Sequence, residues 1–485
     1  MKRKSRSLSV NIILNSIKTV MGFIFPLITF PYVSRVLGTS GLGKVNFSSS
    51  IVSYFSIIAA LGVTNYAIRE GVVFRDKDKR EKHFYDEIFT VNFLTVIVAY
   101  LLLAVAVLIS AKLHDYITLI GIHSLSMVFT WFGVEWIFNI YEDYLQITAR
   151  AVLSQFASLI LMFLFVKTPD DYVNYAMITV FASAGTYVIN YVSAGRYYRP
   201  HFTCHCNLKK HIIPMCVLGA NTFAMTIYIN SDTTMIGYIL GESSVGLYST
   251  GVKIYTIIKH VMAAVITTAT PRVAYYNAEN LEQERDTVIS NQVRLISLLS
   301  IPAMVGLILT SKDVVFLLAG SEFDSSTPVL RILAIAIIFA SFASIASTYG
   351  LVVNRKEKIV LKGSVISALI NVVLNLFLIP AMGIIGAAIT TLISETFVFL
   401  YFTYKAGFFK YLILAKKTII SSLLGSIGIV ACCLVCSIIS NQYIRLCVSV
   451  VASILSYIII VRLRKEQFIY ELFHRILAKM NKTHK

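Results

Sequence analysis

Charged residues are scarce in this sequence. Of its 485 residues only 14% are Asp, Glu, Lys or Arg, and the 25 acidic residues are outnumbered by 43 Lys and Arg. Soluble domains carry about 25% charged residues. Together with 57% hydrophobic residues and a mean hydropathy of +0.74, this scarcity excludes an ordinary soluble protein and predicts a multi-pass membrane protein.

Long polar segments are also lacking. The longest external connection, near residues 311–327, is too short for a separate soluble domain. A membrane polymerase or ligase commonly carries its catalytic groups on a large external loop, so we expect no enzyme. Apolar segments of about 20 residues, and not alternating strands of about 10, predict helices and exclude a β-barrel.

Cysteine is limited to seven residues, which predict neither disulfides nor a metal site. Five lie in apolar segments, where a thiol behaves as a small hydrophobic group: Cys216, Cys432, Cys433, Cys436 and Cys447. One connection clusters His201, Cys204, His205, Cys206 and His211, but C-x-C lacks zinc-finger spacing. We therefore expect no metal and no cofactor, and coupling to Na⁺ or H⁺ stays open.

The apolar segments number fourteen, each long enough to cross about 30 Å of hydrocarbon. We expect an all-α polytopic membrane protein with spans near residues 10–34, 45–67, 88–111, 115–139, 148–167, 172–195, 213–239, 244–269, 291–310, 328–351, 359–380, 384–406, 417–438 and 442–463. The basic start, residues 1–7, leads into a full-length span and not into a cleavage site, so we interpret it as part of a first helix.

The distribution of positive charge orients the bundle. The odd-numbered connections hold only Lys44, Lys112, Lys167, Lys312 and Arg445. The positive-inside rule therefore places both termini in the cytoplasm. The net charge of +18 is explained by topology and by attraction to anionic membrane lipids, so no nucleic-acid partner is expected. Residues 462–485 predict an amphipathic helix on the inner leaflet.

A short motif recurs along the chain. Leu37-Gly38 with Gly43 after the first span matches Leu240-Gly241 with Gly246 after the seventh, at an offset of 203 residues. Six spans fit within this period, and six is even, so the copies enter the membrane in the same direction. We therefore predict two six-helix lobes related by a pseudo-twofold axis along the membrane normal, with residues 1–205, 206–410 and an appendage, 411–485.

Six cations lie within or at the ends of apolar segments, where each costs about 2.5–3.5 kcal/mol at a helix centre. Arg294 and Arg331 can reach the interface, and Glu135 is also expected there. For Lys18, Lys253 and Lys259 we favour a cation-lined cavity that receives an anionic head group, and for Arg35 snorkelling and cavity lining are equally open.

Two acidic residues are available as partners or coupling sites, Asp232 and Glu395; for Glu395 an ion pair, a proton-coupling site and a polar helix contact stay open.

Several motifs follow one another in a characteristic order. They are residues 15–20 and 31–38, then Phe132 to Phe138 leading to Thr148-Ala149-Arg150, and then residues 232–237 with Leu240-Gly241 and Val245 to Tyr248. In this ordered series the chain resembles the Wzx-type polysaccharide flippases. It implies membership of the multidrug/oligosaccharidyl-lipid/polysaccharide exporter superfamily, with fourteen helices and a cationic cavity between two six-helix lobes.

The same resemblance implies a function. Wzx-type members move undecaprenyl diphosphate-linked oligosaccharide units from the cytoplasmic to the outer leaflet of the bacterial plasma membrane, for lipopolysaccharide or capsule synthesis beside other polysaccharide-assembly membrane proteins. The positions here that could bind such a substrate are Lys18, Arg35, Lys253 and Lys259. Sugar hydroxyls would find polar partners in Asn46, Ser48, Ser49, Thr226 and Asn230. The alternatives are a multidrug or cation antiporter of the same superfamily and a membrane polysaccharide polymerase.

Overall fold

A computed structural model describes residues 8–75, 79–204 and 206–464 of the chain, with Phe468 and Tyr470. These residues form helices and connections and include no strand. The chain divides into two compact units, residues 1–246 and 247–485, with the boundary in the first turn of one helix. The basic N-terminal residues 1–7, His205, and nearly all of the amphipathic tail lie outside the described residues.

The first unit begins with one long helix, α1 (Leu8–Ala60), which holds the first predicted span and most of the second. The expected connection between them is helical except at Gly38, whose φ of 65° and ψ of −172° break the helix. Pro26 and Pro31 lie inside α1, where a membrane helix tolerates proline.

The remaining helices of the first unit follow in chain order. They are α2 (Val63–Phe74), α3 (Lys79–Ile109), α4 (Ala111–His114), α5 (Ile117–Phe132), α6 (Glu135–Ile140), α7 (Tyr144–Phe165), α8 (Tyr172–Ala194) and α9 (Leu208–Leu240). A 3₁₀ turn, Pro169–Asp171, precedes α8. The fourth predicted span, 115–139, is interrupted between α5 and α6, where Val134 has a φ of 29°.

The second unit contains longer uninterrupted helices. They are α10 (Glu242–Thr267), α11 (Thr270–Ala278), α12 (Glu282–Ala319), α13 (Thr327–Ile345), α14 (Glu357–Met382), α15 (Ile384–Lys405), α16 (Phe409–Leu414), α17 (Lys416–Cys436) and α18 (Gln442–Leu463). A 3₁₀ segment, Ser321–Ser326, precedes α13, and a π-helical segment, Ala346–Val352, follows it.

Eleven helices of the described residues are long and apolar enough to cross a membrane, or twelve when the bent halves of α9 count as one span. The chain is therefore an all-helical, multi-pass membrane protein. Large apolar side chains such as Ile109 and Ile438 are more than four-fifths exposed, as expected for surfaces that face lipid.

Packing assigns α9 to the first unit. One buried cluster there joins aromatic and aliphatic side chains of α2, α3 and α6 to Met215 of α9, and Gly62 packs against the backbone of Gly219. The predicted boundaries at residues 205/206 and 410/411 were drawn from a repeat in the sequence and not from contacts between residues. Both boundaries stay predictions.

Candidate functional site

Lys18 forms an ion pair in the first unit. Its Nζ lies 2.6 Å from Oε1 of Glu135. Glu135 is the first residue of α6, and the break at Val134 separates this short helix from α5. Both side chains stay partly exposed, so a neutralised but accessible pair occupies the position where the sequence predicted a cavity cation.

Lys259 also forms an ion pair, in the second unit. Its Nζ lies 2.5 Å from Oε1 of Glu395, which also accepts a hydrogen bond of 2.8 Å from the hydroxyl of Tyr255. The Glu395 side chain is 5% exposed and that of Lys259 is 38% exposed. Of the three roles left open for Glu395, the geometry matches the ion pair, and Tyr255 is a partner that the sequence pattern did not indicate.

Lys253 differs from these two lysines. It lies six residues before Lys259 in α10 and is half-buried. Among the described residues it has no ion pair and no hydrogen-bond partner for its ammonium group. An ammonium group in an apolar helix bundle is costly unless it is solvated or paired. Lys253 therefore has all three N–H donors available for an anion.

Arg35 is exposed on α1. Its Nη1 donates a hydrogen bond of 2.8 Å to the carbonyl oxygen of Pro31, one turn earlier. An arginine carries five N–H donors in a planar fork, so Arg35 can contact more than one acceptor.

Asp232 is buried in α9. Two residues further along, the Thr234 hydroxyl is hydrogen-bonded to Ser50 at 3.0 Å and to Tyr54 at 3.1 Å, and both of these lie on α1. Polar contacts therefore hold α9 against α1 next to Asp232. The two acidic residues named from the sequence lie in different units, each in a polar environment.

Some polar residues expected to contact sugar lie around one cavity of the first unit. Ser49, Thr226 and Asn230 line it. Ser48 is fully buried and donates to the carbonyl oxygen of Lys44. His123 of α5 also lines the cavity; a single histidine in an apolar segment gave no sequence signal.

Two family models match the chain. A model described as "Polysaccharide biosynthesis protein" matches residues 8–277, and the MatE model matches residues 218–377. The first match covers more than half of the sequence.

Curated relatives carry related names. The chain is 34% identical over 163 residues to a "Probable low-salt glycan biosynthesis flippase" of Haloferax volcanii, a match that spans 34% of this chain and 34% of that relative. It is 23% identical over 402 residues to a "Putative O-antigen transporter" of Escherichia coli K12, covering 82% of this chain and 96% of the relative. The first of these matches spans only about a third of the relative's length.

Solved structures share the fold. The lipid II flippase MurJ in an inward closed conformation has a TM-score of 0.75 at 15% identity, covering 96% of this chain and all of the other. An inward-facing multidrug resistance MATE family transporter has a TM-score of 0.62 at 14% identity, covering 84% of this chain and 99% of the other. Since the polysaccharide biosynthesis model accounts for more than half of the sequence, and the fold agrees with the resemblance, the chain belongs to the polysaccharide biosynthesis protein family.

Proposed function

We propose that this chain is a flippase. It translocates undecaprenyl diphosphate-linked oligosaccharide repeat units from the inner to the outer leaflet of the bacterial plasma membrane, for surface polysaccharide biosynthesis. Family membership and the names of the relatives support this class of substrate. The single structural observation that carries the proposal is Lys253, an ammonium group inside an apolar helix with no partner among the described residues.

The charge of the substrate head explains the need for such a residue. A diphosphate diester is anionic and loses hydration when it enters a membrane protein. Charge-assisted hydrogen bonds from Lys or Arg replace that hydration. Lys253 supplies these bonds directly, Arg35 supplies a second cationic group, and the half-exposed Lys259 retains donors beyond its bond to Glu395. Lys18 contributes when its pair with Glu135 opens.

The proposed architecture has fourteen spans in two six-helix lobes, with two further helices and both termini in the cytoplasm. Support comes from the recurring glycine motif. Gly38 and Gly241, which correspond in the two copies, both break a helix with a positive φ, 65° and 90°, and an extended ψ. Equal local geometry at equivalent positions favours two related lobes, which would alternate access by rocking.

Three further properties belong to the proposal. Asp232 serves as a coupling site for Na⁺ or H⁺, while Glu395 is committed to its ion pair. The chain acts without catalysis of its own, beside other membrane proteins of polysaccharide assembly. An antiporter for cationic drugs is less well supported, because Lys259 and Tyr255 already occupy the carboxylate of Glu395.

Translocation can be measured in proteoliposomes that contain the full chain and undecaprenyl diphosphate bearing one N-acetylhexosamine. A membrane-impermeant lectin reports how much sugar reaches the opposite leaflet. We expect Lys253→Ala to reduce the rate at least tenfold, because the diphosphate loses a charge-assisted partner. The matched control is Lys358→Ala, which removes an exposed lysine and should leave the rate unchanged. Equal rates for Lys253→Ala and the wild type, at equal protein incorporation, would contradict the role of Lys253.

A further inference from the structure

A polar cavity of about 420 Å³ lies within the first unit. It is bordered by α1, α5, α8 and α9, and its volume falls in the range of about 300–1,000 Å³ that is typical of small-molecule sites. Its lining includes five serines, two threonines, an asparagine and a histidine, next to Val52, Ile57 and Val180. None of the lining residues carries a carboxylate, an ammonium or a guanidinium group.

Most hydroxyl groups of this lining are hydrogen-bonded back to their own helix. Five of them donate their proton to a backbone carbonyl three or four residues earlier in their own helix, at 2.6–3.1 Å: Ser53, Ser56, Ser126, Thr179 and Ser183. A hydroxyl that donates in this way keeps its oxygen lone pairs free. The wall is therefore rich in acceptors, and the Asn230 amide keeps one N–H donor beyond its bond to the Thr226 carbonyl oxygen.

His123 adds the most buried acceptor. It is 7% exposed and lines the cavity. Its Nε2 is buried and has no hydrogen-bond partner among the described residues. In the neutral ring with its proton on Nδ1, Nε2 is an acceptor. Buried polar atoms in native structures nearly always have a partner, and an unpaired one beside a cavity indicates a ligand.

The chemistry of the wall restricts that ligand. A phosphate or diphosphate is anionic, and no lining residue supplies a cationic partner for it. A cation would enter a site with no carboxylate to offset its loss of hydration. A sugar ring carries several O–H donors without net charge and satisfies the acceptors. We propose that the cavity binds an uncharged sugar residue of the lipid-linked substrate, with His123 Nε2 accepting from a sugar hydroxyl.

This inference rests on the proposed function and divides the substrate between two kinds of group. The cationic side chains named for the first unit, Lys18 and Arg35, do not line this cavity. The cavity in the first unit holds the glycan. Recognition of the sugar is then separable from recognition of the lipid diphosphate, and the two can be measured with different lipids.

The test uses two probes with the purified full chain in nanodiscs, undecaprenyl diphosphate alone and undecaprenyl diphosphate bearing one N-acetylhexosamine. We expect the wild type to bind the sugar-bearing lipid about tenfold more tightly. His123→Phe keeps a buried ring but removes the acceptor, so it should abolish this tenfold difference and leave the affinity for the sugar-free lipid unchanged. His123→Gln retains an acceptor and should keep most of the difference.

His114→Phe is the matched control, because His114 is exposed at the end of α4; its affinities should equal those of the wild type. Ser126→Ala removes one wall acceptor with little change in volume and should reduce the difference about threefold, which keeps the test valid if His123→Phe fails to fold. If the tenfold difference in affinity between the two lipids persists in both His123→Phe and Ser126→Ala, the sugar subsite is overturned. An equal loss of affinity for both lipids also overturns it. Failure of the wild type to bind either lipid contradicts the proposed function itself.

Discussion

Gly43 packs directly on the backbone of Glu242: a Cβ added to Gly43 would lie 1.8 Å from the Glu242 carbonyl oxygen. The reverse contact is also present, since a Cβ on Gly246 would lie 2.0 Å from the carbonyl oxygen of Thr39. The repeat offset of 203 residues relates Gly43 to Gly246 and Thr39 to Glu242. The glycine of each copy therefore contacts the residue that lies four positions before the glycine of the other copy. Reciprocal contacts of this kind are those of a twofold-symmetric interface.

This reciprocal packing predicts that both glycines are required. Gly246→Ala and Gly43→Ala each place a methyl group against backbone that cannot rotate away, and overpacking of this kind costs about 1–3 kcal/mol. We expect a lower melting temperature in detergent for each variant. Gly306→Ala is the control, because a Cβ there meets nothing within 4 Å and alanine favours a helix. Equal melting temperatures for all three variants would contradict the close approach.

The pair of Lys259 and Glu395 predicts an asymmetric response to substitution. Lys259→Ala leaves a carboxylate that is only 5% exposed with Tyr255 as its remaining donor, and we expect a loss of about 2–3 kcal/mol of unfolding free energy. Glu395→Gln leaves the 38% exposed lysine to be solvated and should cost about 1 kcal/mol. Unfolding in mixed micelles gives both values.

The double variant completes this test. With Lys259→Ala and Glu395→Gln together, no buried charge is left unpaired, so the loss should be smaller than for Lys259→Ala alone. A double loss equal to the sum of the single losses would show that the two side chains do not interact.

His211 links α9 to two other helices of the first unit. It is fully buried, its Nδ1 lies 2.9 Å from the hydroxyl of Tyr66, and its Nε2 lies 3.1 Å from Glu87. His211→Phe leaves both partners buried without this contact and should cost about 3 kcal/mol of unfolding free energy. Tyr66→Phe leaves the bond to Glu87 intact and should cost about 1 kcal/mol.

The control for this network is His83→Phe. The His83 side chain is 55% exposed and lies 3.7 Å from Glu87, so its loss should change the unfolding free energy by less than about 0.5 kcal/mol. A loss for Tyr66→Phe as large as that for His211→Phe would mean that Glu87 does not depend on His211.

Tyr198 predicts a pH dependence of stability. Burial, followed by its hydrogen bond of 2.8 Å to Asp86, raises the pKa of Tyr198 from 10.0 to about 12. Because the folded protein favours the protonated hydroxyl, the contribution of Tyr198 to the free energy of unfolding is complete below pH 10. This contribution is lost as the pH rises towards 12. The difference in melting temperature between wild type and Tyr198→Phe should therefore shrink over this interval.

Tyr275→Phe is the matched control for Tyr198, because Tyr275 is 59% exposed. The change in melting temperature caused by Tyr198→Phe is compared with that caused by Tyr275→Phe at each pH. A difference between these two changes that stays constant with pH would contradict the raised pKa.

The sequence indicated the membrane class well because span length and charge distribution depend only on local composition. It indicated less well how spans are joined. Residues 35–44 were expected as a connection, yet they continue α1 apart from Gly38, since a short polar segment can stay helical when one glycine takes the bend. The fourth span was expected to be continuous, and α5 ends at Phe132 instead.

The candidate site could likewise be predicted from the sequence only in part. Hydropathy identified Lys18, Lys253 and Lys259 as costly cations, but it could not tell which of them is paired. Glu135 is 117 residues from Lys18 and Glu395 is 136 residues from Lys259, so no periodicity connects them. His123 gave no signal, because an apolar helix with one histidine looks the same whether the ring is satisfied or faces a cavity.

The sequence by itself determined that this chain crosses the membrane many times, that it carries a repeated glycine motif, and that it keeps cations in apolar helices. Each of these follows from the transfer cost of side chains and from local backbone preference. Only the tertiary structure decided that Lys253 is left without a partner among the described residues, that the two glycine motifs pack on each other, and that hydroxyls of four helices enclose one cavity. Such relationships depend on which distant segments meet, and the free energy of that packing is not recorded in any single stretch of sequence.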